Sequence, residues 1–133
     1  MSKSAIYAIN TTTGTAVAVG GVLPLNTINR RFGCAVDLSS NGILIREAGY
    51  YDVDAIATVT ATAVGNVSAY LAQDGVEVAG TRVTVTAQVI GDEVILPISA
   101  LVRVLPCNTD TLTIVIVDNA ITTVRNAIEV VKL

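Results

Sequence analysis

In residues 48–62, AGYYDVDAIATVTAT, a Gly-Tyr opening leads into a strictly alternating run. Tyr51, Val53, Ala55, Ala57, Val59 and Ala61 share one face of an extended strand, whereas Asp52, Asp54, Thr58, Thr60 and Thr62 share the other. This is the signature of a half-buried β-strand. A strand of this length needs partners on both edges and a second apolar layer over its inner face, which points to a two-sheet antiparallel β-sandwich. Ile56 interrupts the polar face and marks it as a candidate subunit contact.

Composition agrees with that reading. Val, Ile and Thr make up 50 of the 133 residues, and these β-branched side chains suit a pleated sheet and lose rotamer freedom in a helix. The length suits a single domain that buries its own core without disulfides or metal. With 52% hydrophobic and 14% charged residues the chain is too apolar for disorder, and apolar for a sandwich that stays alone. The net charge of −3 argues against a nucleic-acid partner, since phosphate neutralisation requires clustered Lys and Arg. The nearest approach to a cluster is Arg30-Arg31, read as an exposed strand end or a subunit contact.

The opening MSKSAIYAINTTTG lacks the continuous apolar stretch of a signal peptide, and AVAVGGVLPL is too short and too interrupted to cross a bilayer. The expectation is synthesis in the cytoplasm and no membrane partner. Cys34 and Cys107, the only cysteines, adjoin strand-like segments. A disulfide would fit, but two buried free thiols are the expectation for a protein made in a reducing compartment.

Turn signals at Thr13-Gly14, Gly20-Gly21, Asn41-Gly42, Gly65-Asn66, Asp74-Gly75, Gly91-Asp92 and Asn108-Thr109 recur at sandwich-like spacing. They delimit strands over 5–9, 15–19, 33–38, 43–46, 50–62, 67–73, 81–89, 93–104, 111–117 and 127–132. Two hairpins are expected, one at Asp74-Gly75 and one at Gly91-Asp92. Pro97 cannot donate a ladder hydrogen bond, so its strand is an edge strand or carries a bulge. In TLTIVIV, Leu112, Ile114 and Ile116 occupy one face while Val115 and Val117 occupy the other, so this strand is apolar on both sides. Its outer face is either a subunit interface or covered by the N-terminal segment.

Catalytic chemistry is thinly represented. The chain has no histidine, and it holds no nucleophile elbow, phosphate loop or paired-cysteine zinc spacing. Asp52, Asp54, Asp74, Asp92 and Glu93 read as solvated-face and turn residues, with no calcium-loop pattern among them. No catalytic residue, cofactor or metal site is expected. Tyr7, Tyr50, Tyr51 and Tyr70 read as packing residues with a hydrogen-bonded hydroxyl.

The segments GYYDVDA, VSAYLAQDGVEVAGT and GDEVILPI, in that order, resemble the trimeric jelly-roll domains of the tumour necrosis factor and complement-globular-head superfamily. Gly49 and Tyr51 match its G-x-Y strand, Asp74-Gly75 its hairpin turn, and Gly91-Asp92 with Val94 its Gly-Asp turn. The resemblance runs from about Gly33 to the end. The terminal IEVVKL lacks the aromatic-rich last strand of the animal members, so their receptor contacts do not carry over. The opening SKSAIYAINTTTGTAVAVGGVLPLNTINRRFG is also similar to small proteins encoded among the virion structural genes of tailed phages of Gram-positive hosts.

Together these resemblances imply a non-enzymatic virion protein. It would be a homotrimer of jelly-roll domains that decorates the outer surface of a phage head, with the major capsid protein as its partner. The alternative is a receptor- or carbohydrate-binding head on a tail or head fibre. Residues 1–20 are expected to form an N-terminal arm with the first strands, and residues 21–133 the jelly roll, within one domain overall. Ile56, Val115, Val117 and Tyr70 are the expected subunit-interface residues. Ile6, Tyr7, Arg30 and Arg31 are the expected capsid-docking residues.

Overall fold

The computed structural model describes residues 3–133, and all regular structure in them is β-strand. In chain order the strands are β1 (Ala5–Asn10), β2 (Ala16–Val17), β3 (Thr27–Phe32), β4 (Val36–Ser39), β5 (Gly42–Ile45) and β6 (Gly49–Ala61). They continue with β7 (Gly65–Gln73), β8 (Val76–Glu77), β9 (Val83–Ala87), β10 (Glu93–Val104), β11 (Asp110–Val117) and β12 (Ile121–Lys132). The front sheet has the order β10-β6-β12-β1-β3, with β2 also paired to β12. The back sheet has the order β4-β5-β11-β7-β8, with β9 also paired to β7. From β5 onward the chain crosses repeatedly between sheets, so that β6, β10 and β12 lie in front and β7, β9 and β11 behind. This is an all-β, antiparallel jelly roll.

The alternation in β6 places its apolar set inward. Tyr51, Val53, Ala55, Ala57, Val59 and Ala61 are all buried, as are Leu71 on β7 and Leu112, Ile114 and Ile116 on β11 opposite them. Fully burying one such large side chain stabilises the fold by roughly 1.5–3 kcal/mol. β6 is central, pairing with β10 on one side and β12 on the other. β10 pairs with β6 alone through an unbroken register, so Pro97 sits on an edge strand and no bulge is needed to accommodate it.

The turn at Asp74-Gly75 is a two-residue hairpin in which Gln73 faces Val76, with φ of 51° and 82° at the two central residues. Two positive φ angles match the right-handed twist of the flanking strands. Gly91-Asp92 is not a hairpin, contrary to expectation. Gly91 does turn with φ 90°, but β9 belongs to the back sheet and β10 to the front, so the chain crosses between layers there. A turn signature marks reversal of the chain and carries no information about which strands then pair.

Three further expectations change. The N-terminal segment is no free arm from Ala5 to Asn10, because β1 lies between β12 and β3 with hydrogen-bonded neighbours on both sides. Residues 1 and 2 of the expected arm lie outside the described residues. Strand β3 was not anticipated, since TINRRF lacks alternation and forms an exposed sheet edge. Cys34 and Cys107 are free but exposed, because they lie in the connections after β3 and β10 and not within strands.

Candidate functional site

The outward face of the front sheet can be built row by row from the strand register. One row runs Arg30, Tyr7, Glu129, Asp54, Ser99 across β3, β1, β12, β6 and β10. On one side lies the row Phe32, Ala5, Val131, Asp52, Leu101, and on the other the row Thr27, Ile9, Ala127, Ile56, Pro97. Two apolar bands therefore flank a polar one. Phe32 is 66% exposed and Ile56 49%, and Tyr50, Ile95 and Leu101 add more apolar surface on the same side. Single exposed apolar side chains are ordinary, but here they recur on one face from the β3 edge to the β10 edge, which makes this face the candidate interaction surface.

The face is grooved. One groove of about 530 Å³ runs between Tyr7, Ile56, Pro97 and Glu129, and a second of the same volume between Tyr7, Arg30, Phe32 and Val131. Tyr7 and Glu129 line both and form the ridge between them. Among the described residues Arg30, Asp52 and Glu129 have no ion-pair partner, and Asp54 accepts only a hydrogen bond of 2.9 Å from the Ser99 hydroxyl. Glu129 and Asp54 face each other on adjacent strands, an arrangement in which like charges repel.

The predicted interface residues do not come together. Ile56 lies on the front face, whereas Tyr70 and Val115 form a cross-strand pair on the outward face of the back sheet, with Val117 two residues along. Arg82 stacks over the Tyr70 ring at 5.0 Å and is itself held by Glu77. Val115 and Val117 are half-buried, and Val22 bridges to Val115 while Gly20 and Leu23 donate to β11 carbonyls. The N-terminal segment thus lies along the edge of β11 and extends the back sheet there.

The predicted docking residues also separate. Ile6 is not a docking residue: it is 1% exposed, pointing into the core from β1, and cannot touch a partner. Tyr7 and Arg30 share the front face. Arg31 is engaged at 2.8 Å by Asp37, which also accepts from Arg46. The Leu38 backbone N–H and the Arg46 guanidinium together hold the Asp37 carboxyl below the usual carboxylate range. Phe32, Ile95 and Leu101 were missed, although EVILPISALV carries apolar residues in both phases of its alternation. That double phase was the available signal.

A second apolar surface lies at one end of the sandwich, where loops carry Val19, Val64, Val89 and Ile90, each more than half exposed. These loops adjoin one another. Gly91 donates to Ala61, Thr62 donates to Ala120, and β2 pairs with the start of β12. No group of three or more metal-ligating side chains occurs among the described residues.

By sequence, no protein-family model and no curated protein matches the chain. By structure the similarity is extensive. The fold is similar to that of murine APRIL, with a TM-score of 0.68 at 13% identity over 99% of this chain and 100% of that one. It is similar to the PRD1 vertex protein P5, with a TM-score of 0.62 at 14% identity over 98% and 96% of the two chains. The globular domain of zebrafish complement 1qA protein matches with a TM-score of 0.65 at 11% identity over 97% and 95%. The chain therefore has the jelly-roll fold of tumour-necrosis-factor-like and complement-like domains.

Proposed function

We propose that this protein is a non-enzymatic structural component of a tailed-phage particle, a homotrimer that decorates the outer surface of the head. The observation that carries the reading is the grooved apolar face of the front sheet, which an isolated molecule leaves in water. Self-association through that face would cover Phe32, Ile56 and Leu101. Each 100 Å² of apolar area so removed from water contributes roughly 2.5 kcal/mol before the cost of association. A closed threefold ring suits the local threefold positions of an icosahedral shell, where one contact is repeated. The likeness to a viral vertex protein supports a place on the virion.

Under this reading Tyr7 and Arg30 move from capsid docking to the subunit contact. A ring closed through the front face leaves the ends of the sandwiches free, so the loops bearing Val19, Val64, Val89 and Ile90 are assigned to the major capsid protein. The test is mass measurement in solution together with binding to undecorated heads. A trimer that binds heads, and loses that binding with Val89→Asp/Ile90→Asp while remaining trimeric, is the expected result. A stable monomer that ignores heads would overturn the proposal.

A further inference from the structure

We infer that the contact between copies is electrostatically keyed: Arg30 on the β3 edge of one copy enters the acidic centre formed by Asp52, Asp54 and Glu129 on the front face of the next. This rests on the self-association proposed above and specifies its geometry.

Charge is unevenly placed on the front face, with Arg30 on the β3 edge, Arg103 on the β10 edge and Arg125 beside Thr58. Asp52, Asp54 and Glu129 occupy the two central strands, β6 and β12, in adjacent rows of the register. Asp52 stands in the row that also carries Phe32 and Leu101, and the row of Ile56 lies on the far side of Asp54 and Glu129. Covering such a face with apolar surface alone would strip water from three carboxylates that have no ion-pair partner among the described residues, a costly outcome. An occupant that suits the face must therefore bring a positive charge into its middle.

The chain itself holds a suitable donor. Of its eight Lys and Arg residues, Arg31 and Arg46 are taken by Asp37, Arg82 by Glu77 and Lys132 by Glu47, while Arg103 lies over the Tyr50 ring at 5.8 Å. Lys3, Arg30 and Arg125 remain without an ion-pair partner among the described residues. Arg30 stands apart because it lies in the same row as Glu129 and Asp54 but at the open edge of the sheet, exposed beside Phe32. Its planar fork also suits carboxylates better than an ammonium does. A basic edge and an acidic centre on one face are different patches, so joining edge to centre is a head-to-tail contact of the kind that closes into a ring.

Charge reversal of exposed residues tests this in the full-length chain. Arg30→Glu and Glu129→Arg are each expected to raise the concentration at which the trimer dissociates by at least about tenfold, and the double variant to recover most of the loss. Sedimentation equilibrium at low and high salt reads the effect, with wild-type assembly weakening as salt screens the pair. Circular dichroism checks that each variant is folded, and Arg30→Gln, expected to weaken assembly less than Arg30→Glu, provides a milder second probe. A wild-type trimer whose assembly is unchanged by Arg30→Glu, Arg30→Gln and Glu129→Arg, or whose double variant is no better than the singles, overturns this inference alone. A wild-type chain that is monomeric at all concentrations overturns the trimer as well.

Discussion

Tyr51 and Asp110 show how single side chains on this scaffold trade hydration for partners. Tyr51 is buried against the core, and its hydroxyl donates 2.8 Å to the Glu47 carbonyl oxygen. Burial first, and the nearby Glu47 charge second, push its phenol above the usual tyrosine range. Tyr51→Phe removes one partly buried hydrogen bond and is expected to cost about 1 kcal/mol in urea denaturation; unchanged stability would contradict the role assigned to the hydroxyl. Asp110 is 8% exposed at the start of β11, where Gln73 donates to it at 2.6 Å. Burial pushes its carboxyl up, Gln73 opposes the shift, and neighbouring Asp74 adds to it. A raised native pKa means that the folded state holds the proton over a range in which the unfolded chain has released it. Stability from this group is therefore present below the ordinary aspartate range and lost as pH rises through the native value. Asp110→Asn should keep the Gln73 bond and be more stable than wild type near pH 7, with the difference shrinking toward pH 3. Melting temperatures across that range measure it, and a difference independent of pH would contradict the prediction.

Strands β6, β3 and β10 mark how far elements can be read from residues. β6 was legible along its whole length because one face is core and the other is not, so hydrophobicity alternates with the pleat. β3 was not legible, because an edge strand with all but its first residue exposed has no buried phase to write into its sequence. β10 was legible as an edge or a bulged strand through Pro97, whose nitrogen can make no ladder bond, and its unbroken register with β6 settles the edge. The same residue protects that edge: Pro97→Val would add a free N–H to the open side of a long strand carrying Ile95 and Leu101. Native stability is expected to change by less than about 1 kcal/mol, within the range of exposed substitutions. Light scattering on heating is expected to rise earlier than in wild type, and an unchanged onset would mean the edge is protected by something other than proline.

At the scale of the molecule, the proposed assembly would draw on the outward faces that the fold leaves uncovered. The back sheet screens Tyr70 with Arg82 and flanks Val115 with Val22, whereas the front sheet exposes two grooves and a band of apolar residues. Ile56→Lys places a charge in the middle of that band. It should leave the fold within about 0.5 kcal/mol of wild type, because the side chain is half exposed. It should also weaken the proposed trimer at least about tenfold by burying an ammonium among apolar side chains; sedimentation of a trimer as tight as wild type would remove Ile56 from the proposed interface. The residues alone determined the all-β class, the inner face of β6 and the Asp74-Gly75 hairpin, because each follows from backbone chemistry or period-two burial within one segment. Only the tertiary structure decided that Ile6 is core, that Ile56 and Val115 lie on opposite sheets, and that Arg30 shares a row with Glu129 and Asp54. Those relations depend on strand pairing between residues as far apart in the chain as Ala5 and Val131, and pairing is set by the packing of the two sheets together.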